Sequence, residues 1–117
     1  MNKKHILVFG SLRKNSKRGY NFGRCGEQTF IKPLKLQGFE MYSLSAFPTI
    51  CEGNGEITCE LHSVDETTFA RIGRMESGAG YKEKIVNIDG VDATIYVWDK
   101  AQIERCELPK VKNGDWN

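Results

Sequence analysis

No long apolar run occurs in this chain: none exceeds Ile6–Phe9, far short of the roughly 20 residues a helix needs to cross a bilayer. The four cysteines, Cys25, Cys51, Cys59 and Cys106, form no CxxC pair and no Cys/His cluster, so a zinc site has no ligand set; reduced thiols are the simpler reading. Internal repeats and low-complexity segments are also missing. The formal charge of +2 is too small to imply nucleic acid, although Arg13, Lys14, Lys17, Arg18 and Arg24 gather in one segment. That segment reads either as a solvated loop or as a patch that steers an anionic ligand. Met1-Asn2-Lys3-Lys4 opens with positive charge, but the apolar stretch behind it ends at Gly10 and meets Arg13 and Lys14, unlike a secretory signal. A cytoplasmic location and no membrane association are expected.

What remains is an ordinary globular composition, with 39% hydrophobic and 27% charged residues over 117 positions. That length suits one domain spanning 1–117 and enclosing a single pocket. Residues His5 to Phe9 form a β-rich run ending at the turn residues Gly10-Ser11, which predicts a buried strand. Leu12 to Gly26 is basic and glycine-containing, and reads as a long loop. Thr29 to Leu44 alternates in part, with Gly38 marking a bend or bulge and Pro33 favouring a sheet edge. Gly53-Asn54-Gly55 predicts a turn, with Glu56 to Leu61 as the return strand of a hairpin.

Ser63 and Glu66 have capping-box spacing, which predicts a helix from about Val64 to Met75. Phe69, Ile72 and Met75 share its apolar face, and Glu76 projects between Phe69 and Ile72 if the last turn continues. Glu83 to Ile88 and Ala93 to Trp98 flank Asp89-Gly90 as a second hairpin, with a loop lengthened by Val91-Asp92. The segment from Lys100 onward reads as a polar tail. Several hairpins and one helix give an α+β fold whose sheet curls towards a barrel.

Glu76 is the strongest chemical candidate, because a carboxylate on the apolar side of a helix needs a partner or a task. Desolvation would raise its pKa and suit it to proton transfer near neutrality. The alternatives are a frayed, solvated end or a structural pair with an arginine. Gly10-Ser11-Leu12 supplies consecutive backbone NH groups that can nest an anion. Ser11 has no GxSxG context or adjacent base and reads as a turn former rather than a nucleophile. His5 and His62 are explained by packing as well as by catalysis. Tyr20, Tyr42, Tyr81 and Tyr96 read as core or pocket wall, each needing a hydroxyl partner if buried.

Phe9-Gly10-Ser11-Leu12-Arg13 resembles the Tyr-Gly-Ser-Leu signature of the γ-glutamylcyclotransferase-like (AIG2-like) family. The likeness continues in order through Tyr20-Asn21, Gly38, Phe47-Pro48, Gly53 to Leu61, Ile72 to Glu76, Tyr81, Asp89-Gly90 and Gly114-Asp115-Trp116. The resemblance implies an α+β fold with a small mixed barrel-like sheet and flanking helices. It also implies a substrate-binding loop at Phe9, Gly10, Ser11 and Leu12, Glu76 as catalytic acid/base, and Tyr81 as a pocket neighbour. The implied reaction cyclises a small γ-glutamyl amine or peptide to 5-oxoproline, without metal or organic cofactor. Three positions depart from the pattern: Phe9 lacks the usual tyrosine hydroxyl, Gly73 replaces a common aspartate, and Glu83 stands where a basic residue is frequent. They keep open the alternative of a non-catalytic ligand-binding or regulatory protein with the same pocket.

Overall fold

A computed structural model describes residues 3–10, 28–45 and 48–116. Five strands form one mixed sheet in the order β2-β3-β1-β5-β4. They are β1 (Lys4–Val8), β2 (Gln28–Ser43), β3 (Pro48–Val64), β4 (Lys82–Ile88) and β5 (Val91–Val97), with α1 (Glu66–Gly78) and α2 (Lys100–Cys106) between and after them. The architecture is the expected α+β class with flanking helices. β1 lies at the centre, antiparallel to β3 and parallel to β5. That position explains why Ile6, Leu7 and Val8 are buried in succession: both faces of a central strand are covered.

The long β2–β3 hairpin follows from a parity change. Burial alternates from Gln28 to Leu36, then shifts by one residue so that Phe39 and Met41 enter the core. Gly38, at φ +94°, makes that shift, as its position in the sequence predicts. Opposite it, Gln37 pairs with Glu56 and Phe39 with Glu52, so Gly53-Asn54-Gly55 face the single residue Gly38 and β3 carries two extra residues there. The predicted turn there is therefore a bulge inside a 17-residue strand, and the hairpin reverses between Ser43 and Pro48 instead. Packing requires glycine at position 55, where a Cβ would lie 2.9 Å from the Phe39 carbonyl, while one at Gly53 would lie 2.7 Å from the Glu40 side chain and displace it. Glu40 accepts from the Asn54 N–H at 3.3 Å and from the Tyr42 hydroxyl at 3.0 Å, bonds that hold its carboxyl below the usual range.

The helix begins later than its capping-box spacing suggests. Ser63 and Val64 stay in β3, and Asp65 is the N-cap, its Oδ1 accepting the Thr68 N–H at 2.7 Å. Three further expectations need correction. The β4–β5 connection is the minimal two-residue Asp89-Gly90 loop, since both residues have positive φ and Ile88 pairs directly with Val91. Lys100–Cys106 is helical, a segment with one buried apolar anchor, Ile103, and hence almost no periodic signal. The tail beyond it is docked, with the Val111 N–H bonded to the Met41 carbonyl at 2.8 Å and the Thr58 N–H to the Gly114 carbonyl at 2.7 Å.

Candidate active site

The end of β1 and the end of α1 meet across a cavity of about 240 Å³. Leu7 to Gly10 form one wall, Ile72, Met75, Glu76 and Ala79 the facing wall, and Pro48, Tyr81 and Tyr96 complete it. Ile72 anchors α1 in the core, and the helix continues past Met75 to Gly78. Glu76 is thereby held on a full turn of helix instead of fraying into solvent. Its backbone carbonyl then accepts the Tyr81 N–H at 3.0 Å as the chain reverses into β4, returning Tyr81 beside the carboxylate it follows by five residues.

Glu76 is half-buried, and among the described residues its carboxylate has no hydrogen-bond or ion-pair partner. Burial pushes its pKa up to about 7. The alternative of a structural pair with an arginine is not met among the described residues, and the acid faces a largely apolar cavity. Tyr81 is buried, donates its hydroxyl to the Pro48 carbonyl at 2.8 Å, and stacks at a tilt on Trp98 with ring centroids 5.8 Å apart. Its pKa is pushed up to about 12, first by burial, with Thr49 opposing and the Glu76 charge adding.

Of the residues singled out in the sequence, Phe9, Gly10, Glu76 and Tyr81 converge on this cavity, while Ser11, Leu12 and the basic segment lie outside the described residues. Gly10 has a steric reason for being glycine, since a Cβ there would sit 2.9 Å from two atoms of the Pro48 ring. Pro48 and Tyr96 were not assigned to the site by sequence reasoning. Pro48 entered only as part of the Phe47-Pro48 likeness to the family, and Tyr96 as one of four undifferentiated tyrosines read as core or pocket wall. A second buried acid, Glu60, also went unnoticed; it lies on β3 outside the cavity lining and bonds His62 Nε2 at 2.9 Å. Burial, opposed by that bond, holds His62 below its usual range.

Beside the cavity runs a more open groove, lined on α1 by Phe69, Ala70, Gly73, Arg74 and Ser77 and on the sheet by Lys82 and Glu83. Tyr81 and Tyr96 border both spaces. The Tyr96 hydroxyl is buried with no hydrogen-bond partner among the described residues. Its pKa is raised by burial and further by Glu83 and Glu76.

Known proteins are similar to this chain in sequence and in fold. The Escherichia coli γ-glutamylcyclotransferase family protein YtfP is 26% identical over 112 residues, covering 95% of this chain and 94% of the relative. Its solution structure superposes with a TM-score of 0.74 over 96% of this chain and 95% of that one. The Pyrococcus horikoshii protein PH0828, also 26% identical, gives 0.72 over 96% of this chain and 88% of its own. A mouse AIG2-like protein, 17% identical, shares the fold at a TM-score of 0.75, covering 98% of this chain and 90% of its own. The sequence model described as "Gamma-glutamyl cyclotransferase, AIG2-like" matches residues 6–117. With the match running from the central strand through both helices to the docked tail, this chain belongs to the γ-glutamylcyclotransferase, AIG2-like family.

Proposed function

We propose that the protein is a γ-glutamyl cyclotransferase acting on a small γ-glutamyl amine or peptide. The observation that supports this reading above all is Glu76, a carboxyl that has no partner among the described residues, has its pKa pushed up to about 7 by burial, and faces a largely apolar cavity at a strand end. The α-amine of the substrate attacks its own γ-carbonyl carbon, the bond to the leaving nitrogen breaks, and the products are 5-oxoproline and the free amine. No water is consumed. Glu76 takes a proton from the α-ammonium and delivers one to the leaving nitrogen, a task for which a pKa near the working pH is suited. The backbone amides of the Phe9 to Leu12 loop hold the α-carboxylate, as the resemblance implies, and Tyr81 fixes the pocket wall through Pro48.

Closing a five-membered ring lets orientation supply much of the acceleration, with effective molarities on the order of 10⁵ M or more. A cavity of about 240 Å³ holds the γ-glutamyl part and forces its two ends together. The test is a screen of γ-glutamyl amines and peptides for 5-oxoproline release by the wild type and by Glu76→Gln. Turnover that falls by about 10²- to 10⁴-fold in the variant supports the assignment. A variant that cyclises at the wild-type rate removes Glu76 from the mechanism, and a wild type that binds γ-glutamyl compounds without converting any is the binding protein of the alternative reading.

A further inference from the structure

The start of β3 is held differently from its end. β1 pairs with β3 only from Glu60 to Val64, so the edge of β3 that β1 would occupy is left to other donors at Pro48–Ile50. Two groups from separate elements take the carbonyls there: the Tyr81 hydroxyl donates to the Pro48 carbonyl at 2.8 Å, and the Trp98 N–H to the Ile50 carbonyl at 2.9 Å. Carbonyls of alternate residues point the same way along a strand, so the tyrosine hydroxyl stands in for a ladder amide. On its other edge Pro48 faces Ser43, whose own N–H is bonded to the Pro109 carbonyl at 2.8 Å. Pro48 is buried, its φ is fixed by the ring, and it has no N–H to leave unsatisfied. Its ring abuts Gly10. A Cβ on Gly10 would lie 2.9 Å from both Cγ and Cδ of Pro48, the contacts within 4 Å that the described residues make with that point, chain neighbours aside. Gly10 does not have a left-handed φ, so the ring, not the backbone conformation, demands glycine there.

We propose that Pro48 is a positioning residue for the α-carboxylate of the substrate: its ring sets the strand-end turn at Gly10, and the Tyr81 hydroxyl acts on that turn through the Pro48 carbonyl. The inference rests on the cyclotransferase reading, which puts the carboxylate on the turn, and adds what fixes the turn in place. Glycine has the freest backbone of any residue, so the amide of Gly10 keeps its direction only against an external stop. An anion site made of such amides is only as good as their alignment before the ligand arrives. The chemistry of the substrate explains why the stop is tied to the helix. A γ-glutamyl group carries its α-amine and α-carboxylate on one carbon, so a base for the first and a site for the second must keep one separation. Tyr81 spans it: its N–H is bonded to the Glu76 carbonyl at 3.0 Å and its hydroxyl to Pro48 at 2.8 Å. One side chain thereby joins the helix end bearing the acid to the strand end bearing the turn.

The test uses γ-glutamyl-n-butylamine and its α-carboxamide, which puts a neutral group of similar shape in place of the carboxylate. Titrated calorimetrically into Glu76→Gln, where turnover does not interfere, the carboxylate should bind about tenfold or more tighter than the carboxamide. Adding Pro48→Ala or Tyr81→Phe should cut that ratio severalfold while the affinity for the carboxamide stays nearly constant. Both changes together should do no more than the larger of them alone, because they act through one contact. A merely structural role would weaken the two compounds alike and leave the ratio as it was. Gly10→Ala supplies the converse: its methyl meets the ring and should abolish the ratio, and adding Pro48→Ala, which removes Cγ and Cδ, should restore most of it. Thermal melting of each variant verifies folding. If the ratio behaves in this way but the wild type releases no 5-oxoproline from any γ-glutamyl compound, Pro48 keeps its role and the cyclotransferase reading falls. No preference for the carboxylate in Glu76→Gln, equal losses for both compounds, or a Gly10→Ala ratio that Pro48→Ala does not rescue overturns the positioning role whatever the turnover.

Discussion

At the scale of single residues, Glu76 sets two requirements against each other. Under the proposed mechanism the cavity that suits its carboxyl to proton transfer also opposes its ionisation, and folding bears the difference. Its pKa is raised from 4.5 to about 7, so below pH 4.5 both folded and unfolded chains hold the proton and no penalty exists. Between 4.5 and about 7 the unfolded chain loses the proton first and stability falls as pH rises; above about 7 the penalty is complete. Glu76→Gln has no such penalty. It should match the wild type in urea unfolding at pH 4 and exceed it at pH 8 by on the order of 2 kcal/mol once partial exposure is discounted. A variant less stable at pH 8 would mean that Glu76 is a paired structural charge. The same carboxyl predicts the kinetics: if it acts as base in the free enzyme, kcat/KM should rise with unit slope up to about pH 7 and then level, and a profile flat from pH 5 to 8 would exclude it.

At the scale of elements, legibility in the sequence depended on whether a segment's signal was local. β1, the extent of β2 and the Gly38 bulge could be read because burial periodicity and a left-handed glycine are properties of a few adjacent residues. Glu76 was legible for the same reason, as helix geometry places it relative to Phe69 and Ile72 without tertiary information. Gly53-Asn54-Gly55 misled because the same residues serve turns and bulges, and only the register against β2 distinguishes them. Pro48 and Tyr96 carry no local mark of a site, since what places them there is the meeting of separate elements. The bulge at Gly38 can be tested as an element. Gly38→Ala meets no atom within 4 Å yet must hold φ +94°, so strain alone should destabilise it by about 1–2 kcal/mol. Gly78→Ala, equally free of contacts but without positive φ, is the control and should cost nothing; equal losses in denaturant midpoint would mean that space, not backbone conformation, governs both sites.

At the scale of the whole molecule, the cavity belongs to no single element. Its walls come from β1, the start of β3, the second half of α1, the residue before β4 and the end of β5, and the centre of the sheet is the strand that ends in it. A ligand seated there touches the chain at positions that are close only when the sheet is complete and α1 is docked on it. Such a ligand binds the folded chain and has nothing to bind in the unfolded one, so stability should rise by RT ln(1 + [L]/Kd), about 2.7 kcal/mol at a hundredfold excess over Kd. Because the contacts span the sheet, that gain should appear as slower amide exchange in β1, β5 and α1 together, with matching increments in the most protected amides of each. Glu76→Gln, which keeps the shape of the cavity, is the protein to use, since under the proposed mechanism it would hold a γ-glutamyl compound without consuming it. Exchange slowed only in α1, with β1 and β5 unchanged, would place the ligand on the helix surface and separate Glu76 from the Phe9-Gly10 wall that it faces across the cavity.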